Sequence, residues 1–309
     1  MKILKNLKFR NYLAALSLVT LLASCDKNDA PAPVGDNLDK LITNKSNLSL
    51  FSAALTKTRL TTFTQGGGPY TVWAPTNAAF NAIGITTAAD LNNIDSNLLV
   101  QLLTYHIQAT SRSFTEIPQG PNATMTTQGG FTQYASRYVG GFAFINGAKV
   151  SEPNIQASNG FLHIIDRVLV PPYNTNATNL ALNPNYKQFL QAITKTATAI
   201  TANPYTILAV PNNVMTAAGY DSATIATASG AALTTLTGII RYHLVAQRIF
   251  SPDFKAGNLK TVQGTNLVIS LTGGVNIKGT NNPAPFQITI PDVLSSNGVI
   301  HAINGLLKP

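Results

Sequence analysis

Four histidines and one cysteine are the side chains in this 309-residue chain best suited to chemistry: His106, His163, His243, His301 and Cys25. Imidazole titrates near neutral pH, so each histidine is a candidate general base, proton carrier or metal ligand. The spacing speaks against a metal. The histidines fall two to each half of the chain, 57 and 58 positions apart, and no His-x-x-x-His pattern places two on one helix face. His163 has Asp166 three residues on, but His301 has Asn304 at the same distance. Neither a Gly-x-Ser-x-Gly nucleophile elbow nor a phosphate-binding loop occurs. The chain is therefore read as non-enzymatic, with no catalytic residue, cofactor or metal expected.

What positions the histidines is a repeat. The stretch Asn159-Gly160-Phe161-Leu162-His163-Ile164-Ile165, running on to Pro171, returns as Asn297-Gly298-Val299-Ile300-His301-Ala302-Ile303, running on to Pro309, 138 positions later. It reads as a turn, a buried β-branched strand and a proline stop. Pro69-Tyr70-Thr71-Val72-Trp73-Ala74-Pro75-Thr76-Asn77 answers to Pro204-Tyr205-Thr206-Ile207-Leu208-Ala209-Val210-Pro211-Asn212. Leu103-Thr104-Tyr105-His106 answers to Ile240-Arg241-Tyr242-His243. Three boxes in the same order, twice, mean a duplicated domain.

These boxes resemble the fasciclin domain family. Its first box resembles Tyr70 to Phe80, its central Tyr-His the pairs Tyr105-His106 and Tyr242-His243, and its closing Asn-Gly-apolar-apolar-His box the two strands above. The resemblance covers residues 37–173 and 179–309, with 174–178 as linker. In the second copy Val210-Pro211 replaces the Pro-Thr pair and Met215 the phenylalanine. A shared ligand for the two copies is accordingly not implied. The resemblance implies an α+β fold of two tandem domains, each a β-sandwich or wedge with packed helices. Helices grouped before strands argue the same class.

Periodicity places the elements. Leu48, Phe51 and Leu55 lie on one helix face, as do Leu98, Leu99, Leu102, Leu103 and His106. Tyr70 to Ala74 reads as a strand, and Asn77 as the cap of a short helix carrying Phe80 and Ile83. Short strand-like runs separated by Gly-rich turns fill Ile107 to Val170. In the second half, Tyr186, Phe189, Leu190 and Ile193 open a helix and Tyr205 to Val210 forms a strand. Leu233, Leu236, Ile239, Ile240 and His243 mark a later helix. Leu267–Leu271, Val275–Ile277 and Phe286–Ile290 are expected strands. Trp73, inside the first box, is expected in the core.

The first 24 residues read as a signal peptide. Lys2, Lys5, Lys8 and Arg10 precede an apolar run from Tyr12 to Leu22, too short for the about 20 residues that cross a bilayer. Leu22-Ala23-Ser24-Cys25 resembles a bacterial lipoprotein signal, in which the cysteine carries the lipid. Residues 25–36 then form a lipidated cysteine and a polar, Pro-rich tether. The net charge of +9 falls to +5 once the signal is removed, and no basic run or basic–aromatic stripe remains. Nucleic-acid binding is excluded on that footprint. The expected place is the cell envelope, lipid-anchored, at the outer membrane, on its surface or its periplasmic side.

Several residues are candidates for binding. The resemblance implies adhesion by Tyr105, His106, Tyr242 and His243, a region so assigned in animal matrix members. Buried rings with hydrogen-bonded tips explain the same pairs equally well. Asp292-Val293 resembles an adhesion motif of animal relatives, whereas the first copy has Asn154-Ile155 and lacks the carboxylate. A turn capped by its own Asp is the alternative. Tyr134, Tyr138 and Phe142 form an aromatic patch that could stack on sugar rings. Asp221-Ser222-Ala223 fits one bacterial O-glycosylation pattern, with Ser222 as acceptor. The reading is a lipid-anchored, non-catalytic protein that binds a protein or polysaccharide ligand at the cell surface. A glycan-capturing accessory of an outer-membrane uptake system and a structural envelope spacer are the alternatives.

Overall fold

The computed structural model describes residues 35–201 and 204–309. The expected signal peptide, Cys25 and the tether up to residue 34 lie outside them. The first half of the described chain carries β1 (Tyr70–Pro75), β2 (Ile107–Gln108), β3 (Gly120–Thr126), β4 (Thr132–Tyr138), β5 (Phe142–Ile145), β6 (Ala148–Ala157) and β7 (Gly160–Ile165). The second half carries β8 (Tyr205–Ala209), β9 (Leu244–Val245), β10 (Gly257–Lys260), β11 (Asn266–Ser270), β12 (Asn276–Lys278), β13 (Phe286–Ser295) and β14 (Gly298–Ile303). Each set forms one seven-stranded sheet, in the order β2-β1-β7-β6-β5-β4-β3 and β9-β8-β14-β13-β12-β11-β10. The two orders correspond strand for strand. All neighbours are antiparallel except β1 with β7 and β8 with β14, which are parallel. Thus the two sequence boxes lie side by side, with Trp73 opposite His163 and Leu208 opposite His301.

The expected sandwich or wedge is this one sheet folded over. Register shifts in β6 between Val150 and Ile155, and in β13 between Ile288 and Val293, bend the ladder where the two halves meet. Alternation along β1 and β7 then serves two cores. Val72, Ala74, Leu162 and Ile164 pack on the helical side with Leu38, Phe51, Leu55, Leu99 and Leu103. Trp73 and Ile165 point the other way, against Met125, Ala135, Ala143 and Ile145 of β3–β5. Each fully buried side chain of this size contributes about 1.5–3 kcal/mol. In the second half Met215, fully buried, takes the place Phe80 holds in the first.

The helices fall where the periodicity puts them, with corrections at their ends. Phe51 and Leu55 of the first stripe lie on the helix Ser49–Lys57, with Leu48 in the 3-10 turn before it, and the second stripe is Ser96–Thr104. Leu98 of that stripe is exposed and His106 lies beyond the helix. Thr76, not Asn77, caps Asn77–Asn81 by accepting from the Ala79 N–H, and Ile83 lies outside that helix and exposed. Asn77 reaches back instead and caps a different helix, its Oδ1 accepting from the Leu50 N–H at 3.0 Å. Asn212 does the same for the Gln188 N–H at 3.0 Å. The second half opens earlier than expected, with a helix Asn176–Leu182 whose first residues lie in the expected linker. Two-residue strands β2 and β9, and β10, carry too few residues for an alternation to be visible.

Glycine in the closing boxes has a steric cause. A Cβ on Gly160 would overlap the Tyr70 carbonyl oxygen, and one on Gly298 the Tyr205 carbonyl oxygen. The glycines let β7 and β14 start against β1 and β8. The asparagines before them fasten the domain entrance to the sheet. Asn159 Oδ1 accepts from the Leu38 N–H at 2.9 Å, and Asn297 Oδ1 from the Asn176 N–H at 2.8 Å.

Candidate functional site

The four histidines are wholly buried, and each ties two stretches of backbone together. His106 Nδ1–H donates to the Leu102 carbonyl at 2.8 Å, and its Nε2 accepts from the Leu169 N–H at 2.9 Å. His243 repeats this with the Ile239 carbonyl at 2.8 Å and the Leu307 N–H at 3.0 Å. The pair therefore staples the end of the central helix to the segment after the closing strand. His163 Nε2–H donates to the Arg112 carbonyl at 3.0 Å while Nδ1 accepts from the Asn154 N–H at 3.2 Å. His301 does likewise with the Ile249 carbonyl at 2.8 Å and the Asp292 N–H at 3.1 Å. His163 also stacks on Trp73, ring centroids 4.5 Å apart.

Each ring is held neutral. Burial pushes His106, His163 and His243 down to about 4, against the smaller upward pull of the carbonyl each ring donates to. Burial lowers His301 too, opposed by the Asp292 carboxylate. Protonation would break the accepted N–H bond in every case. Asp166 is no partner of His163: its carboxylate accepts from the Lys149 N–H at 2.8 Å. Asn304 holds the equivalent Gln287 N–H at 2.8 Å, which explains why a neutral amide serves there.

The tyrosines beside them are equally internal. Tyr105 and Tyr242 are fully buried. Tyr105 Oη–H donates to the Thr132 carbonyl at 2.8 Å and Tyr242 Oη–H to the Asn266 carbonyl at 2.7 Å. Asn146 Nδ2 in turn donates to Tyr105 Oη at 2.8 Å. In the folded domain the four Tyr-His candidates for adhesion present no side-chain surface; they join the helix end to β4, β11 and the closing segments.

The remaining candidates converge on the joint between the two domains. Asp292, expected as an adhesion carboxylate, has a side chain only 1% exposed and faces the first domain. Its Oδ2 accepts from Arg167 Nη1 at 2.8 Å and from the Ser251 hydroxyl at 2.5 Å. Its Oδ1 accepts from the Ser251 N–H at 2.6 Å. Asn154 makes the matching bond to the Phe114 N–H at 2.6 Å. Both residues adopt positive φ, 60° and 63°, a conformation asparagine and aspartate tolerate. The shared role needs one side-chain oxygen; the carboxylate of Asp292 adds a charged partner for Arg167. That Arg also donates to the Gly147 carbonyl, and a Cβ on Gly147 would collide with the Asp292 carboxylate. Val293 remains exposed beside the joint, in an apolar groove of about 350 Å3 with Ile83, Val170 and Tyr173.

The tyrosines expected to stack on sugars also lie in this joint. Tyr138 Oη–H donates to Asp253 Oδ1 at 2.5 Å. Burial holds the Asp253 carboxyl above its usual range, against the lowering effect of that bond. Tyr134 lies under the Arg248 guanidinium, 4.0 Å from its ring centre, and near Phe250. Both rings are thus half-covered by the second domain, whereas Phe142 is exposed. Ser222 is exposed at the start of the helix Ser222–Thr227, and Asp221 caps that helix by accepting from the Thr224 N–H at 2.7 Å.

Sequence reasoning missed Asn122, Gly147, Arg167, Arg248 and Asp253, which meet across the joint, and Ser251, which holds Asp292 there. The available signal was mismatch between the copies. Arg167 stands four residues after His163, where the second copy has Gly305 after His301, and Asp292 stands where the first copy has Asn154. At these two positions the copies differ because the residues meet each other across the joint.

The profile of the Fasciclin domain matches residues 46–171 and 184–309. Transforming growth factor-beta-induced protein ig-h3 of Sus scrofa is 27% identical over 79% of this chain and 35% of its own length. Cell surface glycolipoprotein MPB83 of Mycobacterium bovis is 36% identical over 35% of this chain and 47% of its own length. The chain thus spans well under two thirds of these relatives. A solved FAS1 domain pair from the insect cell adhesion molecule Fasciclin I covers 84% of this chain and 96% of its own, at 19% identity and a TM-score of 0.38.

Proposed function

Because the chain belongs to the fasciclin domain family through both of its halves, we propose that it is a non-catalytic binding protein of the cell envelope. A lipid on Cys25 holds it to the membrane, and the two-domain unit meets a protein or polysaccharide ligand at the cell surface. The observation that carries this reading is the joint. Arg167–Asp292 and Tyr138–Asp253 fix the two domains as one body, so their outer surfaces can engage one ligand together without a further loss of domain freedom. The groups with catalytic potential are committed to backbone hydrogen bonds in both copies. The mycobacterial relative, a cell surface glycolipoprotein, supports the anchor and the outward face. With Tyr134 and Tyr138 half-covered in the joint, stacking on glycans by these rings loses its support.

The test is fractionation and protease treatment of cells carrying an epitope-tagged chain. The wild type is expected in the membrane fraction and open to protease on intact cells, and Cys25→Ser in the soluble fraction. Membrane partition unchanged by Cys25→Ser would overturn the anchor. Protection until lysis would overturn surface binding and favour the rigid pair as a periplasmic spacer.

A further inference from the structure

Asparagine followed by glycine carries a reaction of its own. With no side chain on the next residue, the following backbone nitrogen can reach the asparagine Cγ. A bond from that nitrogen to Cγ closes a five-membered succinimide, and the side-chain amide leaves as ammonia, taking the backbone N–H proton with it. Water then adds to either ring carbonyl and gives an aspartate or an isoaspartate. No oxidant, reductant or enzyme takes part, and asparagine is accordingly among the heat-labile residues. The chain holds four such pairs: Asn146-Gly147, Asn159-Gly160, Asn297-Gly298 and Asn304-Gly305.

Three of the four are held at both ends of the amide. Asn146 Oδ1 accepts from the Tyr134 N–H and its Nδ2 donates to Tyr105 Oη, both at 2.8 Å. Asn159 Oδ1 accepts from the Leu38 N–H, and its Nδ2 donates to the Thr64 and Gly66 carbonyls at 2.9 and 2.7 Å. Asn297 Oδ1 accepts from the Asn176 N–H and its Nδ2 donates to the Ile200 carbonyl, both at 2.8 Å. Closing the ring would turn each side chain out of these bonds, so the fold opposes the reaction. Asn304 differs. It is exposed, directly after the end of β14. Its Oδ1 accepts from the Gln287 N–H at 2.8 Å, and no group among the described residues accepts from its Nδ2. The leaving group is free.

We propose that Asn304 is a site of spontaneous deamidation that ages the second domain, independently of any ligand the protein binds. The two products differ in consequence. Aspartate is what the first copy already carries at this place: Asp166 accepts from the Lys149 N–H at 2.8 Å as Asn304 does from Gln287. Isoaspartate routes the main chain through the former side chain and adds one methylene ahead of Gly305. The segment there has no slack. Gly305 is buried against Phe286 without room for a Cβ. The Leu307 N–H donates to His243 Nε2 at 3.0 Å and the Lys308 N–H to Asn282 Oδ1 at 2.9 Å. Leu306 and Leu307 belong to the core of the second domain. The added methylene shifts these bonds out of register and loosens the closing segment from the core.

The test incubates the full chain at mildly alkaline pH, native and in guanidinium, and follows each asparagine by peptide mapping with mass spectrometry. In the native chain Asn304 is expected to convert first. The other three should lag at least about tenfold, because each must give up its amide bonds before the ring can close. In guanidinium all four should convert at similar rates. These rates are read on the wild type and need no variant that could fail to fold. Asn304 staying an amide in the native chain, or another pair keeping pace with it there, would overturn the site. Ion exchange then separates the acidic products. The isoaspartyl form should melt below the untreated protein, whereas Asn304→Asp should melt with it. An isoaspartyl form as stable as the untreated protein would overturn the loosening of the closing segment.

Discussion

Acid should unfold this protein through its histidines. His106, His163 and His243 are held at about 4 in the folded state, against about 6.5 in an unfolded chain. A base whose folded pKa is depressed stabilises the fold fully above the unfolded value. That contribution is lost as pH falls from about 6.5 toward 4. At pH 5 the linkage relation gives a loss of about 2 kcal/mol for each ring, or about 6 kcal/mol for three, relative to neutral pH. Typical domain stabilities are about 5–15 kcal/mol, so the loss is decisive. His301 adds in the same direction. Asp253, raised by burial, works the opposite way while it takes up its proton. The assay is guanidinium denaturation at pH 7.5, 6 and 5, with stability expected to fall at roughly 3–4 kcal/mol per pH unit near pH 5. Stability flat from pH 7 to 5, or imidazole NMR titrations of the folded chain near 6.5, would refute the reasoning.

Three further outcomes follow from named contacts. Asp292→Asn keeps an acceptor for the Ser251 N–H, as Asn154 does for Phe114, but removes the charge opposite Arg167. It should cost about 2–3 kcal/mol and split the calorimetric unfolding of the two domains; an unchanged trace would show that the pair contributes little. Gly160→Ala drives a Cβ into the Tyr70 carbonyl and should destabilise the first domain by more than about 3 kcal/mol, whereas near-normal stability would mean that β1 and β7 can move apart freely. Asn77→Ala and Asn212→Ala each uncap a helix in their own domain. Each should lower the denaturation midpoint by the equivalent of about 1–2 kcal/mol, and no shift in either would remove the capping role.

What could be read from the residues was whatever repeats. The boxes at Tyr70 and Asn159, and their second copies, located the parallel pair of strands in each sheet, and the placing of Trp73 in the core followed from its box. Helical stripes were visible because these helices run for more than two turns, long enough for the 3.6-residue period to repeat. Strands of two residues, such as Ile107–Gln108, carry no period, and a helix starting at Asn176 inside a Pro- and Asn-rich stretch looks like linker. The joint was hidden for a different reason. It depends on how two finished surfaces meet, so Asp292, Tyr134 and Tyr138 looked like ligand-binding groups when their partners were Arg167, Arg248 and Asp253. Asn154 against Asp292 was noticed as a lost carboxylate; its sense emerges only once Arg167 stands opposite.

The parallel pairing of β1 with β7, and of β8 with β14, also sets an order of events in time. Tyr70 is bonded in register with Gly160, and Tyr205 with Gly298, so in each sheet the strand delivered last joins the first strand to the rest of the ladder. A chain emerging from its N-terminus must carry β1 unpaired on that side until some ninety residues more have arrived. Such an open strand is a hazard for self-association, and long-range closure is slow. Arg167 waits longer still, for an Asp292 that follows 125 residues behind it. A chain cut short before Gly160 should therefore be digested throughout, while one cut after Pro171 should keep a protease-resistant first domain. Maturation runs as a series of latches, and the clasp between the domains is the last to shut.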